Sequence, residues 1–189
     1  MFTGIVQAVG SIVRLQPLEV DCGTLDLAGI AIGDSICVQG ACLTVTALTG
    51  SGFTADVSAE TVAVTSGLDR PGAVNLERSL ALGGALGGHL VAGHVDGVGE
   101  VTRLHGGSLE VRAPGQLSRY IARKGSICID GVSLTVNRVQ DSLFEVHLIP
   151  HTLEVTTLSR LRAGSRVNLE IDLVARYVER LLGAVSVKS

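Results

Sequence analysis

Apolar and polar residues alternate over residues 53–57 and again over 144–149, the period expected of a strand with one buried face. Two longer runs, 35–45 and 126–136, are rich in β-branched residues, and each is interrupted by a Gly that predicts a bulge or sharp bend. Short apolar runs at 74–76 and 167–171 predict a closing strand for each half. Beyond residue 172 the period changes. Leu173, Val174, Tyr177, Val178, Leu181, Leu182 and Val185 fall at helical spacing, with Arg176, Glu179 and Arg180 on the opposite face. Such a stripe has to be covered, either by the protein's own body or by another copy of the chain.

The strand pattern occurs twice. Ser35-Ile36-Cys37-Val38-Gln39-Gly40-Ala41-Cys42-Leu43-Thr44-Val45 returns as Ser126-Ile127-Cys128-Ile129-Asp130-Gly131-Val132-Ser133-Leu134-Thr135-Val136, at an offset of 91. Held without gaps over 35–65 and 126–156, that offset gives 12 identities in 31 positions, too many in order for chance similarity of two Val-rich segments. Val74-Asn75-Leu76-Glu77 matches Val167-Asn168-Leu169-Glu170 after a shift of two, and Gly4-x-Val6-x-x-x-Gly10 matches Gly93-x-Val95-x-x-x-Gly99. Roughly six short strands per half, joined by Gly turns, predict a small closed barrel in each, since closure removes exposed edges. The organisation read from this is an all-β protein with a first barrel over 1–86, a second over 87–172 and a helix over 173–189. Gly83-Gly84-Ala85-Leu86-Gly87-Gly88 is the expected linker.

Composition narrows the picture. Hydrophobic residues make up 46% and aromatics 3%, so the cores are aliphatic, and 24 Gly residues in 189 favour many short elements over a helical bundle. A net charge of −3 with no basic run argues against nucleic-acid binding. No apolar stretch approaches the ~20 residues that cross a bilayer. Four cysteines without a Cys-x-x-Cys pair, and no secretory leader, point to free thiols and the cytoplasm. No P-loop and no Gly-x-Ser-x-Gly elbow is present, and His89 and His94 are spaced for neither one helix face nor one strand face, so no metal or nucleotide cofactor is expected.

The chemistry is carried by what the halves share and where they part. Thr44 with Thr135 and Thr61 with Thr152 place hydroxyls equivalently, as two pockets for the same small polar ligand would need. Cys42 faces Ser133 in the alignment, Ile5 His94, Glu60 His151, Asp56 His147 and Gln39 Asp130, so like pockets could polarise their ligands differently.

The opening Met1-Phe2-Thr3-Gly4-Ile5-Val6 resembles the riboflavin synthase family, as do Gly40-Ala41-Cys42-Leu43-Thr44-Val45, Gly87-Gly88-His89-Leu90-Val91-Ala92-Gly93-His94-Val95-Asp96-Gly97, 124–136 and Leu148-Ile149-Pro150-His151-Thr152-Leu153. The likeness runs over nearly the whole chain. It implies two six-stranded Greek-key barrels of the flavin-reductase kind and a carboxy-terminal helix, assembled as a homotrimer. It implies dismutation of two 6,7-dimethyl-8-ribityllumazine molecules into riboflavin and 5-amino-6-ribitylaminouracil, without cofactor, at sites between subunits that hold two substrates each. By the same resemblance, His94, Cys42, Ser35 and Phe2 are catalytic, His94 assisting proton transfer; Phe2, Gly4, Ile5 and Val6 form a wall of the site. Leu43, Thr44, Asp56, Val57, Ser58, Ala59, Glu60 and Thr61 resemble one ligand shell, with Gly93 and Val95 flanking His94. Lys124, Ser133, Leu134, Thr135, Ile149, Pro150, His151, Thr152, Leu153 and Glu154 resemble the other, while Asp130 and Asp172 resemble acidic positions that orient ribityl hydroxyls. Gln39 stands where many relatives carry Asn. A non-catalytic lumazine- or flavin-binding antenna protein is the alternative reading. Loss of Met1–Gly4 is expected to cut turnover while leaving the fold intact.

Overall fold

Each half closes on itself through one strand order. In the computed structural model, which describes residues 1–185, the first half contains β1 (Ala8–Leu15), β2 (Leu18–Asp21), β3 (Ser35–Val38), β4 (Ala41–Leu48), β5 (Gly52–Ala55), helix α1 (Ala59–Val64) and β6 (Gly72–Arg78). The second contains β7 (Gly97–His105), β8 (Ser108–Arg112), β9 (Ser126–Ile129), β10 (Val132–Gln140), β11 (Leu143–His147), helix α2 (Pro150–Val155) and β12 (Arg166–Ile171), followed by helix α3 (Leu173–Val185). The barrel orders are β1-β2-β5-β4-β3-β6 and β7-β8-β11-β10-β9-β12, identical circuits with every neighbouring pair antiparallel. Each is a Greek key closed without free edges. The last residues of the helix expected over 173–189 lie outside the described residues. No described helix is long and apolar enough to cross a membrane.

The Gly in each long β-branched run is not a bulge. Gln39 and Gly40, with φ of +51° and +89°, make a two-residue reversal that pairs β3 with β4, and Asp130 and Gly131 do the same for β9 and β10. True irregularities lie further along, between Val45 and Ala47 and between Val136 and Arg138. Alternation then sorts the side chains: Ala41, Leu43 and Val45 point into the first barrel, Cys42 and Thr44 away from it, and Val132, Leu134, Val136 against Ser133, Thr135 repeat this in the second.

The barrels meet back to back along a pseudo-twofold seam. The two reversals touch there; a Cβ on Gly40 would lie 3.0 Å from the Gly131 nitrogen, and the reciprocal distance is also 3.0 Å. Phe2, Cys37, Val91 and Cys128 form a separate buried cluster between the two barrel cores.

Helix α3 docks by the opposite face from the one its apolar stripe suggests. Arg176 reaches Asp96 at 2.8 and 3.0 Å, Asp96 in turn accepts the Ile171 N–H at 2.9 Å, and Glu179 lies 3.4 Å from Arg119. Val174, Tyr177 and Leu181 are more than 60% exposed. The described residues of the protein's own body therefore leave these three side chains largely uncovered.

Candidate active site

The amino-terminal segment of each half leaves its own barrel and completes the other. Phe2 and Val91 exchange backbone hydrogen bonds, Phe2 N to Val91 O at 2.7 Å and Val91 N to Phe2 O at 3.1 Å, as the two segments pass. Beyond this crossing, the Ser133 N–H donates to the Gly4 carbonyl and the Cys42 N–H to the Gly93 carbonyl, both at 2.8 Å. Val6 then packs on the second core and Val95 on the first. Glycine is required at both docking points. Gly4 and Gly93 have φ of +74° and +78°, and a Cβ on either would lie 2.6 Å from the Cβ of Ser133 or Cys42.

Two buried carboxylates secure the crossing. Glu77 accepts the Thr3 N–H (2.7 Å), the Thr3 hydroxyl (2.6 Å) and the Gly4 N–H (2.9 Å). Glu170 accepts the N–H groups of Ala92 (2.7 Å), Gly93 (2.9 Å) and His94 (3.1 Å). Both are withdrawn from water, and burial pushes their carboxyls up, that of Glu170 to about 7 against the pull of the three N–H donors.

The crossing assembles a cavity of about 270 Å³ from both halves. Cys42 from the outer face of β4, Glu60 and Thr61 from α1, and Gly93, His94 and Val95 from the second half all line it. Ser58 caps α1, accepting the Thr61 N–H at 3.0 Å, and its hydroxyl pairs with that of Thr61 at 2.9 Å. A thiol, a carboxylate, hydroxyls and an imidazole thus converge on one small concavity, a set able to bind a polar heterocycle and move a proton beside it.

The equivalent place on the second barrel is composed differently. Ile5 stands there for His94, Ser133 for Cys42 and His151 for Glu60, beside α2, which starts with Pro150 at its first turn. The linker adds His89, whose Nδ1 lies 2.6 Å from the Ser133 Oγ, while Gly88 packs against the same serine. Burial holds the His89 imidazole below its usual range, opposed by the nearby Asp172 carboxylate. His89 was not among the expected site residues. The signal for it is positional: it directly follows the Gly87-Gly88 end of the linker.

Other expected residues lie elsewhere. Leu43 and Leu134 point into the barrel cores, so their side chains cannot face a ligand in these pockets. Phe2 is wholly buried in the cluster between the barrels and touches the Gly93 position from behind, which makes it a support of the site and not part of its wall. Asp130 sits at the seam, 2% exposed, accepting the Asn168 N–H at 2.8 Å; burial pushes its carboxyl up to about 7. Gln39 accepts the Asn75 N–H at 2.9 Å in the same way, so the Gln39–Asp130 difference is a seam difference and not one of ligand polarisation. Ser35 lines a separate depression with Asp34 and Arg78. Thr44, Asp56, Thr135, Ile149, His151 and Glu154 are exposed around the two sites, Val57 packs on the first core and Leu153 on the second. Lys124 occupies an exposed turn before β9, and Asp172 accepts the Val174 N–H at 3.0 Å, capping α3.

Comparison with known proteins agrees with this duplicated arrangement. The family model described as Lumazine binding domain matches residues 3–79 and 92–172, one copy per half. Riboflavin synthase from Mycobacterium tuberculosis (strain ATCC 25618 / H37Rv) is 48% identical over 198 residues, covering 96% of this chain and 98% of its own length. The enzyme of that name from Photobacterium phosphoreum is 45% identical over 194 residues (96% and 89%), and that from Bacillus subtilis (strain 168) 41% over 194 residues (96% and 90%). Among solved structures, LumP complexed with riboflavin superposes with a TM-score of 0.81 at 27% identity, and LumP complexed with 6,7-dimethyl-8-(1'-D-ribityl) lumazine with 0.79 at 24%; each match covers 90% of this chain and 99% of the other.

Proposed function

We propose, from the premise that the chain belongs to the lumazine-binding riboflavin synthase family, a reading in which its two unlike pockets hold the two substrates of one reaction. The chain is a transferase of riboflavin biosynthesis: two molecules of 6,7-dimethyl-8-ribityllumazine dismutate, one passing a four-carbon unit to the other, giving riboflavin and 5-amino-6-(ribitylamino)uracil. The atoms of two substrates equal those of the two products, so no external oxidant or reductant is needed.

The observation that carries the reading is the reciprocal crossing, which makes two homologous places on the barrels chemically unequal. One lumazine must become a nucleophile by losing a proton from its C7 methyl group while the other accepts attack at its ring. The pocket holding Cys42, Glu60, Thr61 and His94 offers groups that take up and relay a proton. On the second barrel, Ile5 and Ile149 are each about half exposed and offer the partner ring an apolar surface. Fixing both rings removes their relative translation and rotation, worth roughly 7–11 kcal/mol of the barrier when the alignment is good.

We assign the facing of the two pockets to a homotrimer, the first barrel of one subunit against the second barrel of its neighbour, in the cytoplasm. The outward apolar stripe of α3 supports this assembly, since a second copy of the chain is a covering of matching chemistry. Lys124, exposed and away from the cavity of its own subunit, is then available to a neighbouring one.

Purified protein incubated with the lumazine alone is expected to accumulate riboflavin absorbance and fluorescence. Stable lumazine fluorescence with no new product would instead favour the antenna reading.

A further inference from the structure

We infer that Glu170 is a positioning residue for His94, gripping its backbone directly, whereas the homologous Glu77 holds the corresponding Ile5 only through a side-chain relay. The inference rests on the proposed role of His94 for its kinetic consequences and on geometry alone for the seating itself.

The two carboxylates occupy equivalent places in β6 and β12 and both are 3% exposed. Their partners differ by one residue. In the first half, Thr3 donates both its N–H and its hydroxyl to Glu77, and the Ile5 N–H then donates to the Thr3 hydroxyl at 3.2 Å. In the second half the Thr3 position is Ala92. No hydroxyl is available there, and the N–H of His94 reaches the Glu170 Oε2 directly at 3.1 Å, beside those of Ala92 and Gly93. Three consecutive backbone donors on one carboxylate fix the peptide planes on both sides of Gly93. The direction in which the His94 Cβ leaves the chain is thereby set against Cys42, whose own N–H is bound to the Gly93 carbonyl at 2.8 Å. The replacement of Thr by Ala thus coincides with the replacement of an aliphatic wall residue by an imidazole: the half that needs an exact placement has the direct clamp.

Glu170→Gln keeps the size of the side chain and removes a buried charge, but turns one acceptor into an NH₂ group facing the row of N–H donors. Loss of seating is therefore expected without a large loss of stability. Steady-state turnover of the lumazine by the full-length protein is expected to fall in kcat by about tenfold or more with KM changed less than about threefold, the signature of an interaction used in the transition state. Glu77→Gln, with the same chemistry at the seat of Ile5, is expected to act mainly on KM. In ¹H–¹³C NMR spectra of histidine-labelled protein, the His94 ring signals and their titration are expected to move in Glu170→Gln and to stay in place in Glu77→Gln. Ala92→Thr, which leaves the carboxylate untouched and installs the relay of the first half, is expected to move the same signals and covers the case in which Glu170→Gln does not fold. Adding Glu170→Gln to His94→Ala should produce little further loss, because positioning acts through the imidazole.

Unmoved His94 signals in both Glu170→Gln and Ala92→Thr would overturn the inference, as would equal kinetic effects of the two Glu→Gln variants or full additivity with His94→Ala. A His94→Ala variant with normal turnover would instead remove the catalytic reading of His94, leaving the NMR comparison to decide whether Glu170 seats it.

Discussion

Asn75 and Asn168 each reach across the seam to the turn of the opposite barrel: Asn75 Nδ2 donates to the Asp130 carbonyl and Asn168 Nδ2 to the Gln39 carbonyl, both at 2.8 Å. Their side-chain oxygens complete the exchange, accepting the Thr157 N–H at 2.8 Å and the Ser66 N–H at 2.7 Å. Both are 1% exposed. Two amides thus lock the relative position of the barrels, and with it the meeting of Cys42 and His94.

Truncating either amide leaves buried donors and acceptors unpaired on both sides of the seam. Asn168→Ala and Asn75→Ala are each expected to destabilise the fold by about 2–4 kcal/mol. Urea unfolding measures this, and a loss of under about 0.5 kcal/mol would show that the seam does not depend on these bonds.

Gly93→Ala combines a left-handed backbone with a Cβ placed against Cys42, whereas Gly67, with φ of +88°, has open space around it. Gly93→Ala is expected to abolish most turnover, while Gly67→Ala should cost only ~1 kcal/mol of stability and leave turnover near wild type. Equal effects at the two glycines would remove close approach as the reason for Gly93.

Cys42→Ala is expected to lower kcat more than it raises KM, because the proposed reaction sets this thiol beside the reacting carbons, where it contributes mainly in the transition state. A changed KM at constant kcat would make Cys42 a binding residue only.

The amino terminus does more than wall a pocket. Deleting Met1–Gly4 removes Phe2 from the cluster between the barrels and strips Glu77 of all three donors, leaving a buried carboxylate unpartnered. The structure therefore revises the expectation of an intact fold: the truncation should lower Tm as well as turnover, measurable by calorimetry. An unchanged Tm would return the terminus to a purely local role.

Acid is expected to stabilise this fold over the neutral range. Burial raises the Glu170 and Asp130 carboxyls to about 7, above their unfolded values, so folding takes up protons between the ordinary carboxylate range and about pH 7. Tm should rise as pH falls from 8 toward 5, and Glu170→Gln should flatten that slope. A Tm that declines steadily over the same interval would contradict the sign.

Much of this architecture was legible in the chain. The offset of 91 revealed the duplication, and alternation around Phe53 and Phe144 marked strands that the barrels contain. Gly40 and Gly131 were harder to read, because a Gly in a β-branched run signals a bulge and a reversal equally well; only the pairing of Cys37 with Cys42 decides. The crossing of 2–6 with 91–95 leaves no periodic signal, being made of short irregular segments held by carboxylates more than seventy residues away. That distance hid the place of Phe2 between the two barrels, and it left open which half of the chain serves which pocket. The spacing of apolar residues predicts the amphipathic helix α3, yet its orientation depends on Asp96, a counter-charge 80 positions upstream of Arg176.

The exchange of starting segments also says something about ancestry. Two separate copies of one ancestral polypeptide could trade identical beginnings, but every change in one depression would then appear in the other. Once a tether joined them, positions 5 and 94 became independent loci, and His89, next to the tether, could lean on Ser133. Division of labour was open to this lineage without redesign of either barrel, because the segment that carries Ile5 or His94 is lodged in the sibling half.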